Sequence, residues 1–293
     1  MNEVIAITKN NEVKVKKKRM WELDFLRGAA ILLVVFDHSM LTFWHFRLAW
    51  METGVEWLAQ LGQFGREYWT SDLRLFWRPF FVFIFFFVSG LCTAFSRNNF
   101  KRGLKLGIVA LFISAATYII EKYIFMESGY FIMFGVIHCM TVIILFYACL
   151  TFITNLLTKN NKYILSVICL ILGVIAVILS ALYNLTLAEV TLGEQYYIDT
   201  PHQWLGLFIY VESWWSADYF PLLPFIGHFL IGAGLSTFIY PNKKSLLPKL
   251  EGKWHTPISF VGKYALIFYV FAQVFSTALS YVLTYIGTGS FAI

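Results

Sequence analysis

The sequence predicts an all-α, polytopic helical membrane protein, and three observations predict it. Hydrophobic residues fill 59% of the 293 positions and charged residues only 14%. Mean hydropathy is +0.67. Apolar runs of about 20 residues, the length a helix needs to cross a bilayer core of about 30 Å, recur along the chain with basic clusters between them.

Residues 1–20 are polar and lysine-rich, without helical periodicity, and read as a disordered basic tail. Residues 21–293 then form one integral membrane domain, since no linker or internal repeat divides them. Seven spans are expected: Phe25–Phe46, Leu75–Phe95, Leu104–Ile124, Phe131–Leu156, Tyr163–Tyr183, Tyr219–Tyr240 and Ile258–Ile286, the last long enough to be bent or broken. "LGLFIYV" is too short to cross, which predicts an additional re-entrant or interfacial element around Leu205–Trp215. The connections 48–74 and 184–218 are long and rich in Trp and Tyr, as an aromatic belt or an interfacial lid would be.

Basic loop residues resist translocation, so their placement sets the orientation. The tail carries Lys9, Lys14, Lys16, Lys17, Lys18 and Arg19, and every second loop is basic: "RNNFKRGLK", "KNNK" and "PNKKSLLPKLEGK". The connection from Asn184 to Asp218 holds Glu189, Glu194, Asp199, Glu212 and Asp218 with no Lys or Arg. A cell-membrane protein with a cytoplasmic amino terminus and an outer carboxyl terminus is expected. The formal charge of +6 then belongs to the inner face, where it suits anionic headgroups or an anionic cytosolic ligand and gives no support for nucleic acid. No cleavable signal peptide is read before the first span. Cys92, Cys139, Cys149 and Cys169 all fall inside spans without a C-x-x-C, as buried free thiols do.

"LLVVFDHSML" puts Asp37 and His38 inside an apolar run. Asp37 is about 18 Å along its span, near mid-bilayer, where an ionisable group is costly unless paired, hydrated or turned into the bundle. Two readings stand. The pair lines a hydrated cavity, which His45 would share two turns further on; or it cross-links helices through hydrogen bonds. His138 and His228 begin the fourth and sixth spans near the outer leaflet and can converge with the first span on a substrate. Spacing supplies no further ligands, so no metal site is expected. Arg27 forms an i,i+3 ion pair with Asp24 or grips a phosphate, and Arg97, Lys101 and Arg102 are topology signals or phosphate ligands.

Four blocks, "RMWELDFLRGAAILLVVFDHSM", "RPFFVFIFFFVSGLCTAFSRNNFKRGLKL", "FGVIHCMTVIILFYA" and "YFPLLPFIGHFLIGAGLSTFIYP", resemble successive blocks of the bacterial heparan-α-glucosaminide N-acetyltransferase-like membrane family, over about Met20 to Tyr285. The resemblance implies a transmembrane acyltransferase that takes acetyl from cytosolic acetyl-CoA and delivers it to an amino or hydroxyl group of a sugar or glycan at the outer face. It implies no metal, with the lipid bilayer, acetyl-CoA and the acceptor as partners, and a homodimer is compatible with it. In that reading His38 is the base or acyl carrier, Asp37 supports it, the basic residues hold CoA, and His45, His138 and His228 face the acceptor. Many relatives carry a histidine where this chain has Ala272.

Two other classes remain open on the residues alone: a proton-coupled transporter or flippase relaying protons through Asp37 and His38, and a catalytically silent membrane scaffold. The topology is checked by single-cysteine labelling. Lys101→Cys and Glu194→Cys should react from opposite faces, and labelling of both from one face would overturn the assignment.

Overall fold

The computed structural model describes residues 8–9, 12–13, 20–125, 129–159, 161–187, 202–211, 214 and 216–291. Among these, six helices are long and apolar enough to cross a membrane, and a further apolar helix is shorter. The helices are α1 (Trp21–Glu52), α2 (Glu56–Trp69), α3 (Asp72–Leu91), α4 (Asn99–Ile119), α5 (Val136–Thr158), α6 (Lys162–Leu187), α7 (Phe225–Ile239), α8 (Thr256–Lys263) and α9 (Ala265–Thr288). In the tail, β1 (Thr8–Lys9) pairs antiparallel with β2 (Glu12–Val13); the rest of the tail lies outside the described residues.

Two elements differ from expectation for identifiable reasons. The connection 48–74 is not a loop: α1 runs on to Glu52 and α2 follows. The buried stripe of α2 is Leu58, Gly62, Gly65 and Tyr68, a helical spacing in which two of the four positions are glycines that carry no apolar signal. The expected span Tyr219–Tyr240 is helical only over Phe225–Ile239, about 22 Å at 1.5 Å per residue. Pro221 and Pro224 remove donors and hold the residues before them extended. The non-helical stretch is paired instead, with Ala217 N–H donating to the Phe131 carbonyl (3.1 Å), Phe220 to Phe134 (3.3 Å), Leu222 to Leu207 (2.8 Å) and Leu223 to Phe208 (2.9 Å). Irregular backbone survives at membrane depth when protein covers it. Leu207 and Phe208 belong to the expected short element, a 3₁₀ turn over Gln203–Leu207; Glu212, Ser213 and Trp215 lie outside the described residues. The last expected span is indeed broken, at Tyr264 between α8 and α9.

Lipid tails are as apolar as leucine, so helices associate through close packing and hydrogen bonds. At the α1–α8 crossing a Cβ on Gly28 would overlap the Ile258 carbonyl, and one on Gly262 the Asp24 carbonyl. At the α3–α7 crossing Gly90 meets the Phe229 carbonyl and Gly232 the Phe87 carbonyl. Between α1 and α9 the contacts are polar: Ser39 with Ser276 (3.0 Å) and Trp50 Nε1–H to Thr284 Oγ1 (2.7 Å). The main core gathers Phe86, Cys139, Ile143, Ile144 and Phe229, and the four cysteines are free thiols.

Overpacking a tight contact costs about 1–3 kcal/mol, so Gly28→Ala should lower the melting temperature by several degrees. Gly107→Ala, which meets only the Thr141 methyl at 3.2 Å, should change it little. Equal melting of the two variants in a thermal size-exclusion assay would refute the close crossing.

Candidate functional site

Neighbouring residues on a helix point about 100° apart, and α1 uses this to send Asp37 and His38 to different surroundings. Asp37 faces α2 and α3. Arg74 donates to it through two nitrogens, Nε to Oδ1 (2.8 Å) and Nη2 to Oδ2 (3.2 Å), and Tyr68 donates its hydroxyl to Oδ1 (3.2 Å). Trp77 Nε1–H donates to the Tyr68 hydroxyl (3.3 Å), and the Arg74 guanidinium lies 3.4 Å above the Trp69 ring. Arg74 is placed by the first turn of α3, whose Ser71 cap accepts its backbone N–H. Burial pushes the Tyr68 phenol up to about 12, so it stays a proton donor to the carboxylate. Asp37 and Arg74 are only 8% and 5% exposed. For Asp37 the helix cross-link therefore describes the geometry.

His38 is half-buried on the other side of α1. The charge acting most strongly on it is that of Asp218, ahead of its own neighbour Asp37, with Arg78 of α3 also in range and the Gln273 side chain within hydrogen-bonding reach. Gln273 Nε2 also donates to Thr42 Oγ1 (3.2 Å), whose hydroxyl donates to the His38 carbonyl (2.8 Å). Asp218 accepts the Tyr269 hydroxyl (2.7 Å) and the Val136 N–H at the start of α5 (3.1 Å), both at Oδ2. Residues of α1, α3, α5 and α9 thus meet around one histidine and one carboxylate.

The other three expected site histidines have separate surroundings. His138 caps α5: its Nδ1 accepts the Gly135 N–H (3.3 Å), so Nε2 carries the proton of the neutral ring and donates to Ser114 Oγ (2.9 Å), whose hydroxyl donates to the Ile132 carbonyl (2.8 Å). Asp218 also acts on it, which links His138 to the His38 cluster electrostatically. His228 packs edge-on against Phe83 (5.0 Å) in an apolar setting, its Nδ1 without a partner. His45 is exposed and stacks on Trp44. No contact among the described residues brings His45 or His228 to His38. Ala272 is 1% exposed and lies one turn before Ser276, on the stripe that packs against α1.

All four expected phosphate ligands line a single cavity of about 660 Å³, whose wall includes Arg27, Arg97, Lys101, Arg102, Lys105 and Lys263 and no acidic residue. Arg27 is at once in the expected ion pair with Asp24 and on this wall. Arg102 is anchored by Ser89 Oγ (2.5 Å), while Arg97 and Lys101 are exposed. The same wall carries the apolar side chains of Phe85, Leu106, Val109, Ile137, Met140 and Leu266. Phe85 stacks on Tyr269, ring centres 6.4 Å apart, and Tyr269 holds Asp218. The volume lies in the range of roughly 300–1,000 Å³ typical of small-molecule sites.

Arg74, Arg78, Lys105, Asp218, Lys263 and Tyr269 were not foreseen as site residues. "DLRLFWRPF" did carry a signal for two of them, since Arg74 and Arg78 lie one turn apart at the entry of an apolar span, where a cation needs a partner. Asp218 counted only as one acid of an outer connection, and nothing in its local sequence ties it to Tyr269 or His38.

The family model for the catalytic domain of heparan-alpha-glucosaminide N-acetyltransferase matches residues 19–274. The chain belongs to this family. No curated protein and no solved structure matches it. The heparan-alpha-glucosaminide N-acetyltransferase match covers α1 through the middle of α9 and so contains His38, Asp218, Tyr269, Gln273 and the whole cationic wall. Membership makes the chain a membrane acetyltransferase-family protein, and its helices fit a multi-pass placement in a bilayer.

Removing one partner of a buried ion pair costs about 3–5 kcal/mol, whereas replacing both by apolar residues is often neutral. Arg74→Met or Asp37→Leu alone should sharply reduce the folded yield and thermal stability, and the double variant should recover most of the loss. A double variant no more stable than the worse single one would show that the pair is not what joins α1 to α3.

Proposed function

We propose that this protein takes acetyl from acetyl-CoA held in the cationic cavity and transfers it to an amino or hydroxyl group of a sugar or glycan, with His38 as base or acyl carrier. The observation that carries the reading is the lining of that cavity. Guanidinium and ammonium groups suited to the phosphates of CoA share the wall with apolar side chains suited to its pantetheine arm, and one of these, Phe85, stacks on Tyr269, which donates to Asp218. Guanidinium groups are strong phosphate ligands because their donors match phosphate oxygens in pairs.

As base, His38 takes the proton of the acceptor's amine or hydroxyl while that atom attacks the thioester carbonyl. The C–S bond breaks, and the leaving thiolate receives the proton from the imidazolium. As acyl carrier, the imidazole nitrogen attacks the thioester carbonyl and the C–S bond breaks to release the thiolate; the acceptor then attacks the acetyl-imidazole, the ring C–N bond breaks, and the acceptor's proton passes to the thiolate or the freed imidazole. Both routes balance without a metal. The basic wall is cytosolic in this proposal and the acceptor approaches from the opposite face. A proton relay through Asp37 is less well supported, because Arg74 already neutralises that carboxylate.

Purified protein in nanodiscs, given radiolabelled acetyl-CoA and a glucosamine-ended oligosaccharide, tests this. His38→Ala should lose about 10²–10⁴-fold in transfer rate and keep donor binding. Neutralising Arg97, Lys101 and Arg102 together should weaken acetyl-CoA binding, with a difference that narrows as salt is raised because exposed charges are screened. Full transfer by His38→Ala, or undiminished donor affinity in the triple variant at low salt, would sink the proposal.

A further inference from the structure

A base that must abstract a proton works best with its ring held in one orientation and one tautomer, which a carboxylate on the far nitrogen usually provides. Asp37 is adjacent in sequence and is the obvious candidate. Both of its oxygens are occupied, Oδ1 by Arg74 and Tyr68, Oδ2 by Arg74. Asp218 differs in each respect. It is half-buried, its donor Tyr269 lies one turn from the Gln273 of α9 that meets Thr42 one turn along α1 from His38, and its two donors, the Tyr269 hydroxyl and the Val136 N–H, both go to Oδ2. Its other oxygen is left for another partner.

The backbone holds Asp218 where it is. A Cβ on Gly135 would collide with the Asp218 carboxylate, so the first turn of α5 approaches it as bare main chain. The Ala217 and Phe220 N–H groups flanking it donate to the Phe131 and Phe134 carbonyls. The irregular stretch before α7, read from the sequence as part of a span, is thereby what carries a carboxylate to the histidine of α1. Tyr269 and Gln273 share one face of α9, as His38 and Thr42 share one face of α1, so the Gln273–Thr42 contact sets the Tyr269–Asp218 pair on the side of α9 that faces His38. Of the two carboxylates, only Asp218 has an oxygen not committed elsewhere.

We propose that Asp218 is the positioning carboxylate for His38, fixing the ring and stabilising the imidazolium formed when His38 takes the acceptor's proton. This rests on His38 being the base or acyl carrier. Asp218 acts through His38 and touches neither donor nor acceptor, while Tyr269 fixes Asp218 in turn.

Asp218→Asn separates this role from a structural one, because the amide oxygen still accepts from Val136 and Tyr269 while the charge is gone. The expected result is a kcat lower by about 10²–10⁴-fold, as when the orienting carboxylate of a catalytic triad is neutralised, with the KM for acetyl-CoA and the melting temperature unchanged. Retention of wild-type kcat in a protein that is active on the glucosamine acceptor would overturn the proposal. A second measurement does not depend on turnover. The chain has only 6 histidines, so the ring signals of His38 in ¹⁵N-histidine-labelled protein can be assigned by their loss in His38→Gln. They should shift in Asp218→Asn and much less in Asp37→Asn. Unchanged His38 signals in Asp218→Asn would overturn the proposal whatever the activity, whereas shifted signals in a wild-type protein that transfers no acetyl would support the pairing and count against the transfer function alone.

Discussion

The ion pair between Asp37 and Arg74 fixes how α1 is turned about its own axis. A lone carboxylate or guanidinium at that depth is costly, so neither side chain is stable there without the other. Two parallel hydrogen bonds at 2.8 and 3.2 Å define both distance and angle. With Tyr68, Trp69 and Trp77 closing around it, the pair seats α1 against α2 and α3. A rotation of α1 that moved His38 away from Asp218 would have to pull Asp37 off Arg74. The position of the histidine is thus set by the residue beside it, although the two side chains serve different ends.

The cationic cavity depends in the same way on glycine. Gly28 and Gly262 let α1 and α8 cross with their main chains nearly touching, and this brings Arg27 and Lys263, each next to one of those glycines, onto one wall. On the facing side Ser89 holds Arg102 beside Gly90, which sits at the α3–α7 crossing. Side chains from distant parts of the chain converge because the residues next to them have none. The "RG" in "LDFLRGAA" is in this sense one structural unit: a cation and the gap that positions it.

Much of this was legible in the sequence, and what was not has a physical reason. Long apolar runs identify α1, α3, α4, α5 and α6 because hydropathy integrates over about 20 residues. The same integration hides α2, whose buried face is half glycine, and runs through the two prolines that unwind the start of the expected sixth span. Arg27, Arg97, Lys101 and Arg102 were found because each is a cation near the basic end of a span, although no sequence argument joins them in one cavity. Asp218 escaped because its importance lies entirely in tertiary contacts, with Tyr269 some fifty residues later and with His38 far earlier. Histidine was a poor guide by itself: His138 caps a helix and His45 rests on an indole, and only the charges around His38 distinguish it.

The two ends of the proposed path carry opposite charge, and that arrangement constrains how a donor can sit. Cations line the cavity with apolar residues among them, and the stacked Phe85–Tyr269 pair leads from its wall to the Asp218 carboxylate. In the proposed function the phosphates of CoA would be drawn to the cations and repelled by Asp218, so electrostatics would orient the molecule with its neutral thioester leading. A positively charged amine acceptor is attracted to the carboxylate end for the same reason that the phosphates are kept from it. In the proposed function one carboxylate placed by irregular backbone would therefore sort the two substrates to opposite sides of His38 before any chemistry begins.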